Sequence, residues 1–244
     1  QMGFAHVLAT VVDDHWRGFP LTTYEDDHWQ VWILGEFYGE KPGLPKALET
    51  GADLNGHYLI LGYEKPNHHW HILTDRFGTM HAYHASDGDR TALGSFSPAV
   101  AHAASARKLD WSAIAGFFTF GFFLGDRTHW QGLRVIPPAS HLILDQDGNI
   151  LSEEKTWAWQ HQVDRNLTYT AAIKGFAERF DAVLRDQVQG KSIALPLSGG
   201  LDSRSSLVPL ATRDQGGAAS LFPFSYGYTK DSVETKIAGQ LAAK

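Results

Sequence analysis

Up to about residue 155 the apolar positions come in short runs, alternating or continuous, with turn residues between them. Val31-Trp-Ile-Leu34, His57-Tyr-Leu-Ile-Leu61, His71-Ile-Leu-Thr74 and His81-Ala-Tyr-His-Ala85 predict strands. Gly56, Asn67, Gly78 and the pair Asp87-Gly88 mark turns. His141-Leu-Ile-Leu144, followed by Asp145-Gln-Asp-Gly148-Asn-Ile, predicts two strands joined by a hairpin. Helices are expected over Lys46 to Glu49 and Trp111 to Phe118, which leaves a mostly β domain with a few helices.

The pattern changes near residue 158. Ile173, Phe176, Phe180, Val183, Leu184 and Val188 form one apolar stripe at helical spacing. Thr168 or Thr170 can cap that helix, which should run to about Gln189 and stop at Gly190. A strand over 192–197 follows, then a turn, then a helix from about Asp202 to Arg213. Pro209 should kink this helix and Gly216-Gly217 should end it. A strand over 218–226 leads to a last helix, capped by Asp231 and Glu234, with Val233, Ile237 and Leu241 on one side. Strand, helix, strand, helix in this order implies a parallel α/β sheet with ligands at the carboxyl ends of its strands. Residues 198–203 and 225–228 would then lie side by side. The expected organisation is a domain over 1–157 and a second over 158–244. Two parallel strands cannot bury both faces of a sheet. The chain is therefore expected to be part of a longer protein or to be completed by a second chain; the alternative is a small domain finished by the helix over 168–189.

Composition removes several classes of function. The 244 residues suffice for one large or two modest domains, and 43% apolar residues make a packed core feasible. Lys plus Arg number 21 against 27 Asp plus Glu; the net charge of −6 argues against nucleic-acid binding by bulk electrostatics. The sequence has no cysteine, and so no disulfide, thiolate ligand or cysteine nucleophile. No run approaches the roughly 20 apolar residues of a membrane helix. Phe117 to Leu124 is the longest candidate, and the first residues show no basic-then-apolar signal pattern. A cytoplasmic protein is expected, and the sequon Asn166-Leu-Thr168 is read as chance.

The most informative stretch is Ser198-Gly-Gly-Leu-Asp-Ser203, directly after the apolar run Ile193-Ala-Leu-Pro-Leu197. A buried strand, a Gly-rich turn and a helix together make a phosphate holder. The two glycines allow positive φ and close approach of the backbone. The turn's N–H groups and the helix N-terminus point at the anion. The Lys-Ser/Thr ending of a Walker loop is absent. The Ser198 and Ser203 hydroxyls would add hydrogen bonds. Asp202 is unfavourable beside a polyphosphate unless a cation intervenes, so it is assigned to Mg²⁺; the alternative is a plain helix N-cap. Arg204 can reach a phosphate or a substrate carboxylate, or face solvent. An ordinary Gly-Gly turn before a helix is the bland alternative for the whole loop.

The hexapeptide resembles the pyrophosphate loop of the ATP pyrophosphatase superfamily, whose members cut ATP between the α- and β-phosphates. From about residue 31 to 244 the chain resembles the asparagine synthetase family. Val31-Trp-Ile-Leu-Gly-Glu-Phe-Tyr38 sits where that family has a strand ending in Asn-Gly-Glu. Leu54-Asn-Gly-His-Tyr-Leu-Ile-Leu61, the turn Thr74-Asp-Arg-Phe-Gly78, Phe123-Leu-Gly-Asp-Arg-Thr128 and Arg134-Val-Ile-Pro-Pro138 are similar to later N-terminal segments. Leu197 to Ser203 is similar to its ATP loop, and Phe224-Ser-Tyr-Gly227 and Asp231 to Ala238 to the strand and helix after it. The order of these pieces carries the resemblance.

The resemblance implies an α+β, β-rich amidotransferase-like domain of the Ntn type, followed by the start of an α/β parallel-sheet ATP-pyrophosphatase domain. It implies adenylation of a carboxylate, release of pyrophosphate, and attack by an amine to give an amide and AMP, with ATP and Mg²⁺ as cofactors. The implied ATP-binding residues are Leu197, Ser198, Gly199, Gly200, Leu201, Asp202, Ser203, Tyr226 and Gly227, with Asp202 as metal ligand; the catalytic residues are expected beyond Lys244. The family's amidotransferase uses an N-terminal cysteine and an Asn-Gly oxyanion donor. Here cysteine is absent and Leu34 replaces the Asn, while Gly35 and Glu36 remain, so glutaminase activity is expected to be lost and 34–36 to be vestigial. An attacking amine carried by the substrate then resembles β-lactam synthetases and lasso-peptide macrolactam cyclases. The competing readings are a synthetase using ammonia or glutamine and a non-catalytic ATP-binding or substrate-recognition scaffold. The implied partners are a substrate bearing a carboxylate, a precursor peptide or companion processing proteins, with a homodimer left open and no nucleic acid or membrane.

His68, His69, His71, His81 and His84 form a dense group. Strand alternation puts His69 and His71 on one face, as a zinc pair would need, but no third ligand has convincing spacing. Exposed hairpin histidines are expected. Trp157-Ala-Trp159 suggests a stacking platform or packing at the domain junction, and Asp26-Asp27 and Glu153-Glu154 read as solvated acidic turns.

Overall fold

The computed structural model describes residues 21–38, 43–51, 54–86, 91–106, 108–211, 217–227, 229 and 232–242. The chain divides into two compact units, Gln1–Gln160 and His161–Lys244. The architecture mixes α and β, with antiparallel sheets in the first unit and a parallel pair in the second. Among the described residues no helix is long and apolar enough to cross a membrane.

In the first unit, β1 (Leu21–Glu25), β2 (Trp29–Phe37), β3 (Gly56–Glu64), β4 (His69–Thr74), β8 (Ser140–Leu144) and β9 (Ile150–Lys155) form a six-stranded antiparallel sheet in that order. A smaller sheet has the order β6 (Thr91–Gly94), β5 (Tyr83–Ser86), β7 (Leu133–Val135). The large sheet buries both faces. Trp29, Val31 and Ile33 of β2 join Tyr58, Ile60 and Leu73 beneath Ala47 and Leu48 of helix α1 (Leu44–Thr50). Leu59, Leu61, Ile72, Leu142 and Leu144 face the other way, onto Met80, Ala82 and Ile136, which flank strands of the small sheet, and onto Leu93 of β6. Burial on both sides explains why β3 reads as a continuous apolar run. Helix α2 (Ser97–Ala103) covers the small sheet through Val100 and Ala101 against Ala85 and Leu133. Helix, sheet, sheet, helix is thus the layer order.

The sequence pattern located β2, β3, β4, β5, β8 and β9, in places one to five residues short of the observed ends. It missed β1, whose Thr-Thr-Tyr-Glu is mostly exposed at the sheet edge, and the short β6, β7 and α2. Helix α3 (Trp111–Phe120) is capped by Asp110, which accepts the Ala113 N–H at 3.0 Å and pairs with Arg127 at 2.6 Å. Gly78 turns with φ +62°, as expected, whereas Asp87-Gly88 lies outside the described residues.

One buried carboxylate ties the first unit together. Asp75 is fully buried and sits in the Asp75-Arg-Phe-Gly78 turn after β4. Its carboxylate accepts the N–H groups of Tyr58 (3.2 Å), Phe77 (2.9 Å), Thr79 and Met80 (3.3 Å), and the Thr79 hydroxyl. Its carbonyl accepts the N–H groups of Gly78 and Ala139. Beside it, Thr74 donates to the Pro137 carbonyl at 2.7 Å and accepts the Ser140 N–H at 3.0 Å. Burial alone pushes the Asp75 carboxyl up, but the Thr79 hydroxyl and the surrounding N–H donors outweigh it and hold the group below the usual carboxylate range.

The second unit is a β-α-β core with a helix at each end. Helix α4 (Tyr169–Val188) is capped by Thr168, whose hydroxyl accepts the Ala171 N–H at 3.3 Å, and Gly190 follows its end with φ +70°. Strands β10 (Ser192–Pro196) and β11 (Ser220–Phe224) pair in parallel across helix α5 (Leu201–Ala211), and helix α6 (Val233–Ala242) follows. Of the α4 stripe, Val188 is buried and Phe180 and Leu184 half-buried, while Ile173, Phe176 and Val183 are exposed. A two-stranded sheet offers too little face to cover a twenty-residue helix. Val233 is exposed, and Ile237 and Leu241 are half-buried. Arg213, Gly216 and Asp231, which bear on the ends of α5 and α6, lie outside the described residues.

Replacing Asp75 with Asn sets an amide among N–H donors and should cost roughly 1–3 kcal/mol in urea denaturation at pH 7. Because the folded Asp75 pKa lies below its unfolded value of 3.8, its stabilisation is present above that pH. It is lost as pH falls through the lower folded value, so the gap between wild type and Asp75→Asn should close under acid. An unchanged gap from pH 5 to pH 2 would contradict this.

Candidate functional site

The turn between β10 and α5 is built by the parallel pair. Pro196 lies opposite Phe224, and the Leu197 N–H continues the ladder to the Phe224 carbonyl at 2.7 Å. Leu197 is buried, which anchors the point where the chain leaves the sheet. Residues 198–203 and those after Phe224 therefore emerge together at the carboxyl ends of neighbouring strands.

Within the turn, two serines organise the backbone. Ser198 N–H donates to Ser203 Oγ at 3.1 Å, Gly200 N–H donates to Ser198 Oγ at 3.1 Å, and the two hydroxyls lie 3.0 Å apart. Among the described residues, no protein acceptor takes the N–H groups of Gly199, Leu201, Asp202 or Ser203. Three of these are the first residues of α5, where the helix carries its positive dipole end. Asp202 is exposed, and its carboxylate accepts no hydrogen bond among the described residues. It stands at the second helical position, so it is not an N-cap. Arg204 leans back over the turn, with Nε donating to the Gly200 carbonyl at 3.2 Å. Tyr226 is 80% exposed, and Gly227 sits against Ser232 and Thr235.

The glycines act differently from the sequence expectation. Neither Gly199 nor Gly200 has positive φ. A Cβ on Gly199 would lie 3.1 Å from Ile237 Cδ1 and 3.6 Å from Glu234 Cα, so Gly199 lets α6 pack against the turn. Gly200 would place a Cβ 3.2 Å from the Ser198 hydroxyl that its own N–H uses.

Residues 34–36 are strand residues of the first unit. Leu34 pairs with Leu59 and packs against the core face containing Leu59 and Leu61. Gly35 has φ +113°, and a Cβ there would fall 2.0 Å from the His57 carbonyl oxygen. Glu36 accepts the Tyr38 hydroxyl at 2.7 Å. Trp157 lies 5.8 Å from both Phe77 and Trp159, with the Arg76 guanidinium over its ring, and Trp159 is exposed.

His71 departs from the expectation of exposed histidines, whereas His68 and His81 are exposed as expected. His71 is buried at 5% exposure, and its Nδ1 lies 3.0 Å from Nε2 of His141, also buried. The third ligand that the linear spacing did not supply is Glu64, which the antiparallel register sets opposite His69. Glu64 Oε2 lies 3.5 Å from His71 Nε2 and 3.7 Å from His69 Nδ1. Burial lowers the His71 pKa from its ordinary value despite the Glu64 charge. Burial first, then neighbouring His71, lowers His141 to about 4, so both rings are neutral near pH 7. His68 pairs with the Tyr63 hydroxyl and His81 stacks on Tyr83; neither joins the cluster. A strand pairing of 61–64 with 69–72 around Asn67 was the signal that could have found Glu64.

No protein-family model matches this chain, and neither does any curated protein.

Gly35→Ala should destabilise the first unit by roughly 2–4 kcal/mol, because the new Cβ meets backbone rather than a movable side chain. Chemical denaturation measures it; a loss below about 0.5 kcal/mol, as at ordinary surface sites, would contradict the close strand approach.

Proposed function

We propose that this protein is an ATP-dependent, AMP-forming amide ligase similar to asparagine synthetases, with the nucleotide's phosphates held at the turn between β10 and α5. The observation that carries the reading is the group of N–H donors at Gly199, Leu201, Asp202 and Ser203, at a helix N-terminus, that lack a protein acceptor among the described residues. Donors in that state attract a polyphosphate. A substrate carboxylate oxygen attacks the α-phosphorus, and the bond to the β-phosphate oxygen breaks. The turn's N–H groups stabilise charge on the departing pyrophosphate. An amine then attacks the acyl carbon, expels AMP and loses its proton, leaving the amide.

Asp202 fits a Mg²⁺ ligand because its carboxylate is exposed beside these donors and no described residue claims it. When bound, Mg²⁺ supplies charge neutralisation at the phosphates. Leu197 and Tyr226, at the ends of the two strands, would flank the adenosine, with Gly227 beside them. Arg204 is held over the turn and can add a cation for phosphate or carboxylate.

In this reading residues 1–157 are an Ntn-type amidotransferase-like scaffold and residues 158–244 belong to an ATP-pyrophosphatase-type domain. The layering of α1, two sheets and α2 and the Asp75 turn support the scaffold assignment. The packing of Leu34 into the core, where the family's oxyanion Asn is expected, argues against glutaminase chemistry. The attacking amine is then carried by the substrate, as in macrolactam or β-lactam closure, and the enzyme works in the cytoplasm on a small molecule or precursor peptide.

Asp202→Asn should leave the melting temperature unchanged, because the carboxylate has no described protein partner, yet weaken Mg-ATP binding about tenfold or more. Equilibrium dialysis with labelled ATP, with and without Mg²⁺, measures it. The reading fails if the wild-type protein binds no Mg-ATP, or if the variant binds it as tightly. Nucleotide binding without pyrophosphate release on any carboxylate substrate would favour a scaffold.

A further inference from the structure

We propose that Glu64, His69 and His71 form a binding site for a divalent metal ion of the zinc class, closing the turn end of the β3–β4 hairpin. Each offers one ligand atom, and the three atoms lie within 4.8 Å of one another. Tetrahedral zinc with bonds near 2.0–2.1 Å sets its ligand atoms about 3.4 Å apart. The Glu64 Oε2 distances of 3.5 Å to His71 Nε2 and 3.7 Å to His69 Nδ1 are already close to that spacing. The remaining gap is between the two imidazoles, and His69, 34% exposed, has room to turn.

The ligand atoms are aimed by their neighbours. Asn67 Nδ2 donates to Glu64 Oε1 at 2.8 Å, which leaves Oε2 facing the histidines. The His71 ring is fixed edge-on to Trp29, 4.9 Å between centroids. With the proton on His71 Nδ1 and donated to His141 Nε2, the His71 Nε2 lone pair faces the carboxylate. That nitrogen is buried and makes no hydrogen bond. His141 acts as the outer partner that sets the tautomer of a metal-binding imidazole.

Two imidazoles and one carboxylate select zinc or cobalt over the oxygen-seeking magnesium and calcium. Three protein ligands leave a fourth position for water on the exposed His69 side. The ion would cross-link β3 to β4 around the turn at 65–68. This site belongs to the first unit, and the turn between β10 and α5 belongs to the second.

The test uses the untagged full chain, stripped by chelator dialysis and titrated with Zn²⁺ against a chromogenic competitor, with Co²⁺ as a spectroscopic probe. One equivalent should bind saturably and raise the melting temperature, and Co²⁺ should give the visible absorption of four-coordinate N/O ligation. His69→Ala and Glu64→Gln, both at partly exposed positions, should fold as wild type in the apo form and lose all three signals. His81→Ala should keep them, and His141→Gln, where folded, should weaken binding about 10–100-fold. Absence of a saturable equivalent, or binding undiminished in both ligand variants, would overturn the site. So would an apo Glu64→Gln that melts lower than wild type with Zn²⁺ shifting neither, since the trio would then be an ion-pair cluster.

Discussion

A carboxylate taken out of water stays ionised when hydrogen-bond donors surround it. Asp75 meets that condition with four backbone N–H groups and one hydroxyl. Its donors come from β3, from its own turn and from the segment that starts the second sheet. Its carbonyl and neighbouring Thr74 hold the return of the chain at 137–140. Asp75 therefore sets where β4 ends, how the chain passes to the small sheet, and where β8 begins. Both core faces of the large sheet depend on those three positions.

The second unit works by a different constraint. Parallel strands place their carboxyl ends together, so whatever follows β10 must lie next to whatever follows β11. Ser198 and Ser203 then shape the turn by bonding each other and two of its amides. Among the described residues no protein acceptor takes the remaining amides at the helix mouth, and this is what the ligase proposal rests on. Gly199 makes the turn compatible with α6 lying close by.

Much of this was legible along the chain. The runs at 31–34, 57–61, 71–74 and 141–144 gave strand positions, because each alternates or stays apolar in step with its burial. The helix over 169–188 and its Thr168 cap followed from spacing and side-chain chemistry. The edge strand β1 was not legible, since an exposed strand has no core to impose a pattern. The glycine roles were misread too: Gly199 looked like a conformational necessity and is a packing one.

The sequence by itself determined most of the larger elements, the change to a parallel architecture near residue 158, and the residues of the Ser198–Ser203 turn. Those depend on contacts between residues near in sequence and on burial that repeats at a fixed period. Tertiary structure alone decided that Glu64 faces His69 and His71, that His141 backs His71 from 70 residues away, and that Asp75 collects donors from Tyr58 to Met80. Strand register and sheet order bring these groups together, and neither quantity is written in local spacing.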